Sequence, residues 1–352
     1  MKVMSIFCEI IMRRIILTIF ISMSASLYTL PSAAIDLGVN PEVRNYINTI
    51  AQKYNYDERD LYRWFNIINF NQSIIDSMNK PGEAKPWENY RDIFIQPERI
   101  QMGKDYMSTH MKALKAAERQ YGVPADIILG IIGVETYYGK VTGKSYVLEA
   151  LATIAFKYPP RSKYFTNELT EFLLLCREQG WNPLEIRGSY AGAMGLPQFM
   201  PSSYRTYAID GSKNGYINLF DDHQDVIASV ANYLDKKGWH RGEPVAVPVN
   251  VRPNHKEFTE AEANGKLNYT VQQLADLGFV PIMPVPKHLK VGLLGFETEY
   301  GMQYWMTFHN FQVIKRYNNS GKYALVVALL GDFVSGAVVL GKPAMKAMSA
   351  SH

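Results

Sequence analysis

The sequence predicts a mainly α-helical protein of the α+β class, and three observations carry that expectation. A helical period runs through residues 40–118 and again through 119–240. From about residue 241 it gives way to short strand-like runs around a polar helical stretch. After residue 317 the apolar helical run "SGKYALVVALLGDFVSGA" returns, expected to pack back on the central helices. With 352 residues the chain exceeds one compact core. The expected organisation is a signal peptide at 1–34, an α-helical domain at 35–118, a central core at 119–240, a small β-containing domain at 241–316 and a C-terminal helix at 317–352.

Arg13 and Arg14 precede the apolar run "IILTIFISMSASLYTL", followed by "PSAA". Small residues Ser32 and Ala34 fit a cleavage site, so a secretory signal and a periplasmic location are expected. The run is short for a membrane span and carries polar residues; the start stays open between Met1 and Met12. Cys8 precedes the apolar run instead of ending it, unlike a lipoprotein cysteine. Removal of the signal leaves Cys176 alone, which excludes an intramolecular disulfide. The net charge of +4 falls to +2 without Lys2, Glu9, Arg13 and Arg14. That balance, with no concentrated basic stripe, argues against nucleic acid as a partner.

Within the helical part, Asn40 is placed to cap a helix with Pro41 in its first turn. "NKPGEAKPWENY" reads as a Pro/Gly-broken connection carrying Trp87 and Tyr90. In "VPADIILGIIGVETYYG", Pro124 suits the first turn, Asp126 the positive helix end, and Gly139 a stop. On that helix Ile128, Ile131 and Ile132 share the face of Glu135, while Gly130 and Gly133 lie roughly opposite and permit close helix approach. An ionised carboxylate is costly in apolar surroundings, and burial raises its pKa toward what a general acid needs at neutral pH. Periodicity alone leaves Glu135 open between a structural acid and a catalytic one. A second element, "GSYAGAMGLPQFMPSSY", combines glycines with Ser189, Gln198 and Met200, a composition for close backbone approach and hydrogen bonding to a ligand, or for a tight interhelical turn.

"GVETYYG", "SYAGAMGLPQFMPSS" and "RYNNSGKY", in that order, closely resemble the MltB family of lytic murein transglycosylases, over roughly residues 40–340. The resemblance implies a lysozyme-like central domain flanked by an α domain and a smaller β-containing domain. It implies non-hydrolytic cleavage of the MurNAc–GlcNAc linkage of peptidoglycan, leaving 1,6-anhydroMurNAc ends, with Glu135 as the single general acid and base. By the same resemblance Tyr90, Ser189, Gln198, Met200, Tyr233, Tyr317, Asn318 and Tyr323 bind substrate. Pro197 removes a backbone donor before Gln198, so hydrogen bonding there is expected to differ from the family's. Glu149, Glu168 and Glu171 read as solvated helix charges.

In "DGSKNGYINLFD", Asp210, Ser212 and Asn214 take positions 1, 3 and 5 of an EF-hand-like loop, with the Tyr216 carbonyl at position 7. Family members can carry calcium here. This copy is depleted, with the shorter Asp221 at position 12 and Gln224, beside Asp225, where the family can supply another carboxylate. The chemistry is expected to need no cofactor, and structural calcium stays open beside a metal-free turn. Glycan strands are the expected partner of a monomer, with other cell-wall enzymes as further candidates. Two rivals remain at this stage: a hydrolytic muramidase using the same Glu135, and a non-catalytic murein-binding scaffold.

Overall fold

A computed structural model describes residues 40–80 and 85–336; the expected signal peptide and the tail beyond 336 lie outside the described residues. The chain begins with α1 (Pro41–Tyr54), α2 (Glu58–Ile67), α3 (Gln72–Met78), α4 (Trp87–Phe94) and α5 (Pro97–Tyr121). Asn40, Asp57 and Asn71 cap the first three, each accepting a backbone N–H of the first turn through its side chain. Helix α4 corrects the expectation of a broken connection around Trp87 and Tyr90. Those two residues stand three apart and are both buried, and Trp87 stacks on Phe296 at 4.8 Å and meets Trp305 edge-on at 5.8 Å. Burial of this aromatic face outweighs the helix-breaking residues before it. Helix α5 runs through residue 118, where the first boundary was expected, and kinks at His110.

Next come α6 (Ala125–Thr136), β1 (Ser145–Tyr146), α7 (Val147–Lys157), α8 (Ser162–Gln179), β2 (Arg187–Gly188), α9 (Pro201–Tyr207) and α10 (His223–Lys236). Glu168 on α8 is another correction. It is 2% exposed, and its carboxylate accepts the N–H and the hydroxyl of Ser202 at the start of α9. Docking of α9 converts an apparent solvated charge into a buried acceptor.

The remaining elements are β3 (Ala246–Val251), β4 (Tyr269–Thr270), α11 (Val271–Asp276), β5 (Phe279–Pro281), β6 (Lys290–Thr298), β7 (Gly301–Thr307), α12 (His309–Lys315) and α13 (Gly321–Ser335). The strands form an antiparallel sheet in the order β4-β6-β7-β3-β5. Along β6, Val291 and Leu293 face a local core with Tyr304 and Met306, while Leu294 and Phe296 join Trp305 against the helices. That alternation is the period of two that marks a strand buried on both faces. The segment after β7, read as strand, is helical because Asn310, Phe311, Val313 and Ile314 bury one face.

Helices α6 and α13 lie antiparallel in direct backbone contact. A Cβ on Gly130 would stand 2.1 Å from the Val327 carbonyl oxygen, and one on Gly331 would stand 2.2 Å from that of Asp126. Glycine at both crossings therefore sets the spacing of the two helices. It also fixes their register, placing the C-terminal turn of α6 beside the N-terminal turn of α13.

Candidate active site

That register brings Glu135, in the last turn of α6, to Tyr323, in the first turn of α13. The Tyr323 hydroxyl donates to Glu135 Oε1 at 2.5 Å. Glu135 keeps partial solvent access, yet the protein packed around it removes most of its hydration. Burial pushes its carboxyl from 4.5 to about 7, and the hydrogen bond from Tyr323 opposes that rise. Tyr323 is itself buried; burial first, then the Glu135 charge, raise its pKa well above 10, so it remains a donor. Among the described residues Glu135 makes no ion pair.

Helix α6 stops at Tyr137, two residues earlier than Gly139. Tyr137, Tyr138 and Gly139 all have left-handed backbone, with φ of 56°, 58° and 94°. For the tyrosines this costs about 1 kcal/mol each, so surrounding contacts must hold it. The Tyr138 ring packs over Gly103 and Gly133, and its tip occupies space that a Cβ at either would need. Buried Thr136 donates its hydroxyl to the Leu196 carbonyl at 2.9 Å and accepts the Gly139 N–H at 3.2 Å. It thereby ties the residue after Glu135 to the glycine-rich loop, a role the sequence reading missed.

In that loop Met194 and Phe199 exchange backbone hydrogen bonds of 2.9 and 3.0 Å, closing a tight turn. Gly195 has φ +68°, and a Cβ there would meet the Leu219 carbonyl oxygen at 2.4 Å. Gln198 also has positive φ, at 51°. Its side-chain amide donates to the carbonyls of Thr142 (3.1 Å) and Gly195 (2.8 Å), which leaves Oε1 as its acceptor. Ser189 Oγ accepts the N–H groups of Ala193 (3.0 Å) and Ala191 (3.3 Å), so its oxygen shapes the turn. The Pro197 carbonyl accepts the Tyr317 hydroxyl at 2.6 Å. Met200 is half-buried immediately before α9.

Three of the four expected tyrosines form one aromatic row. Tyr323 and Tyr317 are nearly parallel at 6.5 Å, Tyr317 meets Tyr233 edge-on at 4.8 Å, and Phe199 touches both Tyr233 and Tyr317. Tyr233 anchors the row by donating to the Arg316 carbonyl at 2.6 Å. Phe199 is a second residue the sequence reading missed, since one Phe beside a ligand loop carries no periodic signal. Tyr90 is buried on α4, and its charge, were it to ionise, would act on Tyr323. Asn318 is exposed in the turn before α13, where its carbonyl accepts the Ser320 N–H.

In the EF-hand-like loop, Asp210 accepts the N–H groups of Asn214 (3.1 Å) and Gly215 (2.8 Å), Ser212 donates to Asp210, and Asn214 Oδ1 accepts the Tyr216 N–H. Tyr216 is exposed. The inward-facing carboxylate is Asp225, fully buried, accepting from Gly211, Ser212 and Asn218. Among the described residues no three acidic, histidine or cysteine side chains converge as a metal-holding group. The loop's own N–H groups engage Asp210, the carboxylate expected at position 1.

Residues 38–332 match the Transglycosylase SLT domain family. The membrane-bound lytic murein transglycosylase B of Escherichia coli K12 is 41% identical over 311 residues, which cover 85% of this chain and 84% of the relative. The soluble lytic transglycosylase SltB1 of Pseudomonas aeruginosa superposes with a TM-score of 0.77 at 41% identity, covering 84% of this chain and 99% of its own. The Escherichia coli lytic transglycosylase Slt35, in its calcium complex, gives a TM-score of 0.78 at 41% identity, covering 86% and 95%. Sequence motifs, lysozyme-like helical fold and these likenesses agree: the chain belongs to the SLT-domain family of peptidoglycan lytic transglycosylases.

Proposed function

We propose that Glu135 is the single acid and base of this enzyme, and the observation that carries the proposal is its buried carboxyl held by Tyr323 through Oε1. With Oε1 engaged, the proton resides on Oε2, the oxygen free to meet substrate. Oε2 donates that proton to the glycosidic oxygen as the bond to the muramyl C1 breaks, and GlcNAc leaves as an alcohol. The substrate's own 2-acetamido oxygen supports the cationic C1. Glu135, now a carboxylate, takes the proton of the muramyl C6 hydroxyl as O6 closes on C1. The 1,6-anhydro ring forms, Glu135 is protonated again, and no water is consumed. This differs from schemes in which a second carboxylate activates water or attacks C1.

Tyr90, Ser189, Gln198, Met200, Tyr233, Tyr317, Asn318 and Tyr323 line the glycan cleft in this reading. The aromatic row supplies flat apolar faces with polar tips, and Gln198 Oε1 accepts from substrate hydroxyl or amide groups. The domain division read from sequence is kept with its first boundary moved to the end of α5 at Tyr121, and export to the periplasm is directed by residues 1–34. No cofactor takes part in the chemistry, and Asp210, Ser212, Asn214 and the Tyr216 carbonyl would hold a structural calcium weakly, because Asp210 is the one carboxylate among them.

Digestion of purified sacculi with the wild type and with Glu135→Gln, followed by mass spectrometry of the products, tests the assignment. Anhydro ends that disappear in the variant are expected. Reducing ends would indicate hydrolysis instead, and full activity in the variant would remove Glu135 from the mechanism.

A further inference from the structure

Of the buried polar atoms without a hydrogen-bond partner among the described residues, only Nε and Nη1 of Arg99 belong to a charged group. The guanidinium sits over two rings, 4.5 Å from the centroid of Tyr137 and 5.1 Å from that of Phe94. Cation–π contacts of this kind hold the group in place without satisfying its N–H donors. The adjacent acid, Glu98, is engaged elsewhere, accepting from Lys140 at 2.8 Å. Arg99 is thus a positive charge with unmet demand for an acceptor. Desolvation lowers its pKa, consistent with a charge lacking compensation.

Its position gives that demand a meaning. Tyr137 follows Glu135 by two residues, and Phe94 touches Tyr90 at 5.2 Å. Arg99 therefore stands at the Tyr90 end of the cleft assigned above. Nη2, unlike Nε and Nη1, is not among the buried unpartnered atoms, which leaves it as the donor open to a ligand. Lys140, 5.0 Å from the centroid of the same Tyr137 ring, is balanced by Glu98, so this end of the cleft keeps an excess positive charge.

We propose that Arg99 binds a carboxylate of the stem peptide carried by muramic acid, making it a determinant of preference for peptide-bearing glycan. With Nη2 as its accessible donor, the guanidinium offers a carboxylate a charge-assisted N–H, and stacking between rings fixes its plane in advance. The inference rests on the glycan-cleft reading. Its test measures binding, not turnover, in protein made inert by Glu135→Gln.

Affinity is measured by calorimetry for three soluble ligands: peptide-bearing glycan, the same glycan stripped by an amidase so that only lactyl carboxylates remain, and a chito-oligosaccharide with no carboxylate. Adding Arg99→Met is expected to weaken binding of peptide-bearing glycan by about tenfold and to leave the other two within about twofold. Retained chito-oligosaccharide binding also shows that the cleft is folded. An equal loss on stripped glycan would move the source to the lactyl group and overturn the stem-peptide assignment. Equal loss on all three ligands would make Arg99 a support for Tyr137 only, and no loss on any would remove it from recognition. Failure of the Arg99-containing protein to bind any of the three would instead defeat the glycan-cleft reading itself.

Discussion

Replacing Tyr323 with Phe removes one hydroxyl and leaves the ring that packs beside Tyr317. The lost interaction is a 2.5 Å hydrogen bond to a partly buried carboxyl. A hydrogen bond to a charged group contributes about 1.5–3 kcal/mol, and 1.36 kcal/mol corresponds to roughly one pH unit of titration. This bond favours the ionised form of Glu135 and holds its pKa down to about 7 against burial. Without it, the Glu135 titration should move upward by about one to two pH units. The general acid must be protonated to act, so its ionisation sets the alkaline limb of activity. A pH profile of kcat/KM for anhydro-product release from sacculi reports that limb for the free enzyme. In Tyr323→Phe the limb should shift to higher pH, whatever happens to the maximum rate. An unmoved limb, or one displaced toward acid, would refute the coupling between the two residues.

Glu135→Gln should stabilise the fold in a pH-dependent way. The folded carboxyl titrates at about 7 against 4.5 when unperturbed, so wild-type stability from this group is complete below 4.5 and is lost as pH rises through 7. Denaturant melts at pH 4, 6 and 8 should show the variant's advantage growing toward the order of 3 kcal/mol; a constant difference would contradict the raised pKa. Gly130→Ala places a methyl against the Val327 carbonyl and should destabilise by about 1–3 kcal/mol, with a larger loss of activity than of folded protein because Tyr323 is displaced from Glu135. Thermal melts with millimolar calcium and with a chelator should differ by little, since Asp210 is the one carboxylate among the loop's four candidate ligands; a rise of several degrees with calcium would show that a metal completes the loop.

Much of this site was legible in the sequence because its signals are local. The apolar run around Glu135 exposed an acid out of place, and three motifs in order supplied a family whose roles could be carried residue by residue. Gly130 was recognised as a point of close approach, but not its partner, since the match to Val327 is a tertiary fact. Helix α4 was misread because its stabilisation comes from Phe296 and Trp305, some two hundred residues away. Glu168 likewise could not be distinguished from a surface charge until the start of α9 docked on it. Asp225, not Gln224, faces the metal-like loop, a question of helix phase that one residue of register decides. Thr136 and Arg99 escaped because neither belongs to a periodic pattern, and their contacts cross between elements.

The glycine contact between α6 and α13 has a consequence for when this enzyme becomes active. Glu135 and Tyr323 are separated by 188 positions in the chain, so the acid is in place long before its donor. A polypeptide emerging from its amino terminus holds an unfinished pocket until the residues beyond 320 arrive and dock on Gly130. Completion of the Glu135–Tyr323 pair is thereby tied to completion of the fold, and a truncated chain ending before α13 lacks the donor to the Glu135 carboxyl. For an enzyme whose substrate is the wall enclosing the cell, latency during synthesis is built into the order of the sequence itself.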